Sequence, residues 1–246
     1  MKNQTIQIIG HIRQLGLAAL LTTGLSLQAQ TLVGTGGEHV DVGLAYDETT
    51  NEWEPHVHDE DNDVEYFPAT DARLFVGYGA NTVVPGGAPW SFLGTAGSET
   101  WILPSAPTPG LMLLGLAAEE IDPGIFVGDQ VTFKLKAVSG PGAFAVFDLD
   151  AFNDPLVLFN SLDGINGLDS HVLPTGAHQD VNWAFSAAGD YTITFEASGI
   201  STLNGATTSG DVDYLFRVEA VPEPAVGALA GVGALALLSV RKMRRN

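Results

Sequence analysis

The sequence predicts an all-β protein with a single antiparallel β-sandwich of the immunoglobulin-like type. Short runs that alternate apolar and polar residues recur along the chain, and turns drawing on its 29 glycines and 13 prolines separate them. No long helical pattern occurs between the two ends of the chain. We therefore expect about ten short strands that pack around one core.

The clearest strands form a predicted hairpin near the start of the domain. Residues 39–46 alternate, with Val40 and other apolar residues on one face and polar or small residues on the other. Residues 47–50 predict a turn, and residues 52–58 predict a second strand. Because Pro55 cannot donate a hydrogen bond to a neighbour, we expect this second strand at a sheet edge.

The remainder of the domain continues this pattern. Residues 81–109 are rich in glycine and proline with embedded aromatics, which predicts an irregular but packed region. Gly189, Asp190 and Tyr191 open a late strand in the manner of the tyrosine corner of immunoglobulin-like sandwiches. Apolar runs and alternation predict further strands at 73–78, 111–116, 130–138, 143–149, 156–159, 181–185, 191–197 and 212–219.

The N-terminal residues 1–29 are typical of a secretory signal peptide. Cations precede the small and apolar stretch 15–27, and small residues ending at Ala29 offer a cleavage site. An uncleaved membrane helix is the alternative. Residues 30–220 then form one domain, which is long enough to bury its own core.

The C-terminal residues 221–246 have three parts. Residues 221–224 (Val-Pro-Glu-Pro) break regular structure, because proline fixes φ and donates no hydrogen bond. The apolar run 225–240 would form a helix of about 24 Å, which is short for a membrane core of about 30 Å. A basic cluster, which resists crossing a membrane, ends the chain.

This order of parts resembles the PEP-CTERM sorting signal of Gram-negative bacteria. The resemblance implies export through the inner membrane to the cell envelope, surface or extracellular matrix. It also implies an exosortase, a membrane transpeptidase that removes the tail, as a partner. A plain membrane anchor with a transmembrane helix is the alternative. The residues that carry the resemblance are Val221, Pro222, Glu223, Pro224, Arg241, Lys242, Arg244 and Arg245.

The domain between these ends is strongly acidic. All of the 29 Asp and Glu except Glu223 lie in it, with only four of the ten Lys and Arg, so 28 acids against four bases give a net charge of −24. Such a field repels nucleic acid and attracts cations. The chain has no cysteine, which excludes disulfides, thiolate zinc sites and cysteine nucleophiles.

Histidines on the predicted hairpin indicate a metal site. His56 and His58 are two residues apart on a strand, so both imidazoles point to one face, about 6.7 Å apart along it. His39 and Asp41 occupy the corresponding face of the preceding strand. The predicted turn places His39 opposite His58, whereas a register shifted by two residues places Asp41 there.

Either register gathers three histidines and a carboxylate, which zinc, manganese or nickel accept as ligands. His178 and Asp180 are further candidate ligands from a distant strand, and His171 is a weaker one. The alternative is a solvated strand face on which histidines lie among acids without a metal. The full set of predicted ligands is His39, Asp41, His56, His58, His178 and Asp180.

Several ordered segments are similar to the choice-of-anchor M domain, a family named for its occurrence with different surface anchors. The segments are HVDVGLAYD (39–47), HVHDE (56–60), EEIDPGIFVGDQV (119–131), VSGPGAFAVF (138–147) and VNWAFSAAGDYTITFEASG (181–199). The resemblance implies a surface-anchored protein, with an ABC transporter system of the metal-uptake type as a partner. The family's usual Gly-x-His-x-His before Asn-Trp is here Gly176, His178 and Asp180, so an aspartate replaces the second histidine.

Other chemistries have weaker support. Residues 59–63 resemble a calcium loop, but Val64 stands where an EF-hand has its glycine. The sequence has no nucleophile elbow, phosphate-binding loop or HExxH motif, so we expect no enzymatic activity. The alternative to a metal-binding protein is a structural component of the envelope or extracellular matrix. It would interact with extracellular polysaccharide, and the four tryptophans could form a sugar-binding platform.

Overall fold

A computed structural model describes residues 30–222, and this part of the chain is built almost entirely of strands. The predicted all-β class is confirmed, since the only helices within 30–222 are two short 3₁₀ segments, Tyr78–Ala80 and Ala88–Leu93. The predicted signal peptide and the sorting segment beyond Pro222 lie outside the described residues. None of the described helices is long and apolar enough to cross a membrane.

The described residues form sixteen strands. In chain order they are β1 (Thr31–Val33), β2 (His39–Asp47), β3 (Glu52–Asp59), β4 (Val64–Tyr66), β5 (Ala72–Val76), β6 (Asn81–Val83), β7 (Glu99–Leu103), β8 (Leu113–Ala117), β9 (Gln130–Ser139), β10 (Phe144–Leu149), β11 (Pro155–Asn160), β12 (Ser170–Pro174), β13 (His178–Asp180), β14 (Asn182–Phe185), β15 (Gly189–Ser201) and β16 (Gly205–Val218).

These strands are distributed over three sheets rather than the two of a simple sandwich. Sheet 1 has the order β1-β5-β16-β15-β9-β12, sheet 2 the order β13-β8-β2-β3-β4, and sheet 3 the order β11-β10-β14-β7-β6. Most neighbouring strands are antiparallel, as predicted, but the pairs β1–β5, β5–β16 and β2–β8 are parallel. Sheets 2 and 3 meet where β13 leads through one residue into β14.

Trp183 of β14 joins all three sheets in one core. Its ring centroid lies 6.2 Å from that of Phe195 and 5.8 Å from that of Phe216, both in sheet 1. Its indole nitrogen donates a hydrogen bond of 2.9 Å to the carbonyl of Leu114 in sheet 2. Because the side chain is fully buried, the indole needs this partner.

Sheet 2 turns one apolar face toward this core. The side chains of that face are buried: Val40, Val42, Leu44, Val57, Leu114 and Leu116. Successive side chains on a strand point to opposite faces, so the residues between them lie on the other face of sheet 2. This outer face carries the candidate site.

Two local predictions need correction. The region 81–109 is less irregular than predicted, because it contains β6 and β7, which pair antiparallel. The strand of Pro55, β3, was predicted to lie at a sheet edge, but this is correct only for its first half. Strand β4 pairs with β3 at Val57, His58 and Asp59, so Pro55 lies beyond the end of β4.

Candidate metal centre

The six predicted ligands lie on the outer face of sheet 2. Asp180, Gly115, Asp41 and His58 are direct neighbours in a row across β13, β8, β2 and β3. The shifted register of the hairpin is therefore confirmed, and the register that places His39 opposite His58 is wrong.

The hairpin turn sets this register. Asp47 pairs with Glu52, so the loop has four residues, 48–51, and lies one residue later in the chain than predicted. Asn51 closes the loop with a φ of 62°, a left-handed conformation that asparagine tolerates. A carboxylate oxygen of Asp47 accepts hydrogen bonds from the backbone of Thr49 and Thr50, which fixes the start of the turn.

The first ligand group consists of His39, Asp41, His178 and Asp180. The Nε2 atom of His39 lies 3.1 Å from Oδ1 of Asp180 and 3.9 Å from Oδ1 of Asp41. The rings of His39 and His178 meet edge to face, with centroids 5.4 Å apart. Donor atoms of His39, His178 and Asp180 lie within 4.8 Å of one another, and Asp41 joins them through its approach to His39. These residues come from β2 and β13, which are 130 or more residues apart in sequence but both border β8.

The second ligand group consists of His56, His58 and Glu120. One donor atom from each lies within 4.8 Å of the other two. The Nε2 atom of His56 is 3.3 Å from Oε1 of Glu120, and the two imidazole centroids are 6.2 Å apart.

Two further acids lie beside Asp41, and one of them, Glu60, connects the two groups. Glu60 lies 3.0 Å from Nδ1 of His58, and Glu119 accepts a hydrogen bond of 2.6 Å from Nδ1 of His178. Carboxylate oxygens of both approach Asp41 within 4.8 Å. Sequence reasoning missed Glu60, Glu119 and Glu120. Only Glu60 left a signal, because it continues the two-residue period of His56 and His58.

Asp41 lies at the centre of this arrangement and is fully buried. Neither of its carboxylate oxygens has a hydrogen-bond partner within residues 30–222. Burial raises the pKa of Asp41 to about 6, although His39 and His178 oppose the rise. The hydrogen bond to Glu119 raises the pKa of His178, because that bond favours the protonated imidazole.

Lysine and arginine side chains do not compensate the charge of this cluster. In the described part of the chain, their ion pairs go to acids elsewhere, namely Asp190, Glu196 and Asp211. The cluster therefore combines several carboxylates with four imidazoles and no fixed positive side chain.

Two glycines provide the space for the ligands. A Cβ atom on Gly115 would collide with Oδ1 of Asp41 and lie 3.3 Å from Oδ1 of Asp180. A Cβ atom on Gly43 would collide with Nε2 of His56. Neither glycine has a positive φ, so the missing side chain, and not an unusual backbone conformation, is what each position requires.

His171 lies apart from the cluster. Its Nε2 atom is 2.9 Å from the side-chain oxygen of Gln179, whose amide group donates to Asp148. Gln179 stands between two ligands of β13 and points to the opposite face, so His171 is separated from the site by the sheet.

The acidic loop and the tryptophans have structural contacts of their own. The carboxylate of Asp59 accepts hydrogen bonds from the side chain of Asn62, which closes the loop upon itself. Trp101 and Trp183 are buried, so the four tryptophans do not form a common exposed platform. Trp53 packs against Phe126, with ring centroids 5.2 Å apart.

Comparison of the chain with protein-family models, with curated proteins and with solved structures finds no match.

Proposed function

We propose that this chain is an exported, surface-anchored protein without enzymatic activity that binds a divalent transition metal, or a metal-bearing substrate. The first ligand group holds the metal. The observation that carries the proposal is the buried Asp41 carboxylate, whose two oxygens have no partner in residues 30–222.

A buried charge without a partner is unfavourable, whereas a metal ion satisfies it. Leaving a buried polar group unpaired costs about 1–3 kcal/mol, and more for a charged group. The groups around Asp41 are imidazoles and further carboxylates, which are themselves metal ligands. Two nitrogen and two oxygen donors suit a tetrahedral zinc ion, and manganese or nickel use the same donors.

Export and anchoring are supported by the sequence. The pattern in residues 1–29 favours secretion, and the resemblance of residues 221–246 to a PEP-CTERM signal favours an exosortase as processing partner. The destination would be the cell envelope, surface or extracellular matrix of a Gram-negative bacterium. The similarity to the choice-of-anchor M domain favours a metal-type ABC transporter as recipient of the bound metal.

We also propose that the fold is related to immunoglobulin-like β-sandwiches. The hydroxyl of Tyr191 donates a hydrogen bond of 2.9 Å to the carbonyl of Ala187, four residues upstream. This contact at the start of a late strand is the one that defines a tyrosine corner.

A second candidate function is binding of extracellular polysaccharide. A cavity of about 590 Å³ lies beside the edge of β3, between aromatic and acidic side chains. Aromatic faces stack on sugars, and carboxylates accept hydrogen bonds from hydroxyl groups. The residues that suit a sugar are Trp53, Tyr66, Phe67, Glu54, Glu65 and Asp71.

Metal analysis tests the proposed metal function. Full-length protein, purified and dialysed at pH 7.5 after zinc, manganese or nickel loading, is expected to retain at least one equivalent of one of these metals. A His39→Ala variant is expected to bind that metal at least tenfold more weakly, about 1.4 kcal/mol. His171→Ala is the matched control, because this histidine lies outside the cluster, and it should bind normally. Retention of no metal by the wild type, or equal affinity in the His39 variant, would refute the proposal.

A further inference from the structure

We infer that the cluster holds two divalent cations, the second bound by His56, His58 and Glu120 and linked to the first through Glu60. The inference rests on the proposed metal function and extends it from one ion to a pair.

The hydrogen bonds of His56 point to this second ion. Its Nδ1 atom lies 2.9 Å from the backbone carbonyl of Glu54, and a carbonyl can only accept, so Nδ1 carries the proton. In the neutral imidazole, Nε2 then offers a lone pair. That lone pair faces Oε1 of Glu120 at 3.3 Å, which is also an acceptor. Two acceptors at this distance repel each other unless a proton or a metal cation binds between them, and the metal is the occupant that we infer.

This arrangement is the one found in metal-ligating histidines. Such a histidine generally donates its other ring N–H to a carboxylate or a backbone carbonyl, which fixes the ring and its tautomer. The His56 side chain is nearly buried, so it is held in this orientation by its surroundings. Gly43 lies directly beneath Nε2 and leaves the space open that a side chain would fill.

His58 and Glu60 connect this second position to the first. His58 is the cross-strand neighbour of Asp41, and its Nδ1 atom lies 3.0 Å from Oε1 of Glu60. A Glu60 oxygen also lies within 4.8 Å of Asp41. A carboxylate has two oxygens, so Glu60 can face both ions at once.

The two positions differ in the number of protein ligands. The first ligand group has four members, His39, His178 and Asp180 with Asp41 beside them, whereas the second has two histidines and one glutamate. A set of two histidines and one carboxylate leaves one coordination position for water or another ligand. The second ion is therefore the exchangeable one.

Titration of metal-free full-length protein with cobalt(II), followed by equilibrium dialysis, tests this inference. We expect two equivalents in the wild type and one tight equivalent in Glu120→Gln, with the second equivalent weakened at least tenfold. Glu120 is substantially exposed, so this variant should fold normally. Gly43→Ala, which intrudes on Nε2 of His56 without removing a ligand, should also lose the second equivalent, and the exposed Gly86→Ala should keep both.

The outcomes separate this inference from the proposed function. One equivalent in the wild type, unchanged in Glu120→Gln, would overturn the second site and leave the first intact. It would mean that a proton on Nε2 of His56 pairs with Glu120. Two equivalents that both persist in Glu120→Gln would place the second ion elsewhere and overturn the inference as well. Failure of the wild type to bind cobalt, together with retention of no zinc, manganese or nickel in the metal analysis, would overturn both proposals.

Discussion

Replacement of Asp41 by asparagine is expected to remove binding at the first ligand group and to change how stability depends on pH. The pKa of Asp41 is about 6 in the folded protein, against 3.8 for the ordinary side chain. Because the folded state holds the proton more tightly, the stability from this group is fully present below pH 3.8. It is lost as pH rises through about 6. The loss in metal-free protein amounts to about 3 kcal/mol.

Urea unfolding from pH 4 to 8 in the presence of a chelator measures this effect. The difference in the free energy of unfolding between the wild type and Asp41→Asn separates the contribution of Asp41 from those of the other acids. We expect the wild type to lose stability relative to the variant as pH rises through about 6. At pH 7.5, adding metal to 100 times the dissociation constant should stabilise the wild type by about 2.7 kcal/mol and the variant by much less.

Asp169 provides a matched control, for which the expected change in the stability of the metal-free protein has the opposite sign. It is also a buried carboxylate, but it accepts hydrogen bonds of 2.7 Å from the backbone of both Asn160 and Asn166. Asp169→Asn should therefore lower the stability of the metal-free protein at pH 7.5, because the charged acceptor is lost. Its stabilisation by metal should be unchanged. An Asp41→Asn protein that is less stable than the wild type at pH 7.5 without metal, yet gains as much from metal, would contradict this account.

Substitution of Gly115 by alanine is expected to weaken metal binding by tenfold or more without removing any ligand. The new methyl group would collide with Oδ1 of Asp41 and crowd Oδ1 of Asp180, so both carboxylates must move. Overpacking of this kind in a buried position typically also costs about 1–3 kcal/mol of stability.

Zinc affinity from competition with a chromophoric chelator, together with thermal melting, checks this prediction. Gly86→Ala is the control, since a Cβ atom there would meet no other atom within 4 Å and the residue has no positive φ. We expect that variant to match the wild type in both measurements. An unchanged zinc affinity in Gly115→Ala would show that the Asp41 and Asp180 carboxylates do not hold the metal.

The fold could be predicted where burial of one sheet face imposes a pattern on the sequence. β2 and β9 alternate clearly because one side of each faces the core. The strand of His178 and Asp180 was predicted without bounds or a partner, because the sequence HQD of β13 contains no apolar residue and its pairing with β8 depends on contacts distant in sequence. Strand β7 was not predicted, because the sequence around it is rich in glycine and proline. Its residues Trp101 and Leu103 are nevertheless buried.

The candidate site was predictable to the extent that it lies on one hairpin. The two-residue spacing of His56 and His58 on a strand puts both on one face, and β2 brings Asp41 alongside. The division into two ligand groups could not be predicted, because it depends on the acids of loops, Glu119 and Glu120, which no strand period positions. The burial of Asp41 could not be predicted either, because a polar strand face is ordinarily solvated, whereas Asp41 is fully buried.

Anomalous X-ray diffraction tests the central claim most directly. Crystals of the protein grown with zinc at pH 7.5 would be measured above and below the zinc absorption edge. We predict an anomalous peak about 2.0–2.2 Å from an oxygen of Asp41 and from nitrogens of His39 and His178. A structure in which both Asp41 oxygens accept hydrogen bonds from ordered water, with no anomalous peak on the outer face of sheet 2, would contradict it.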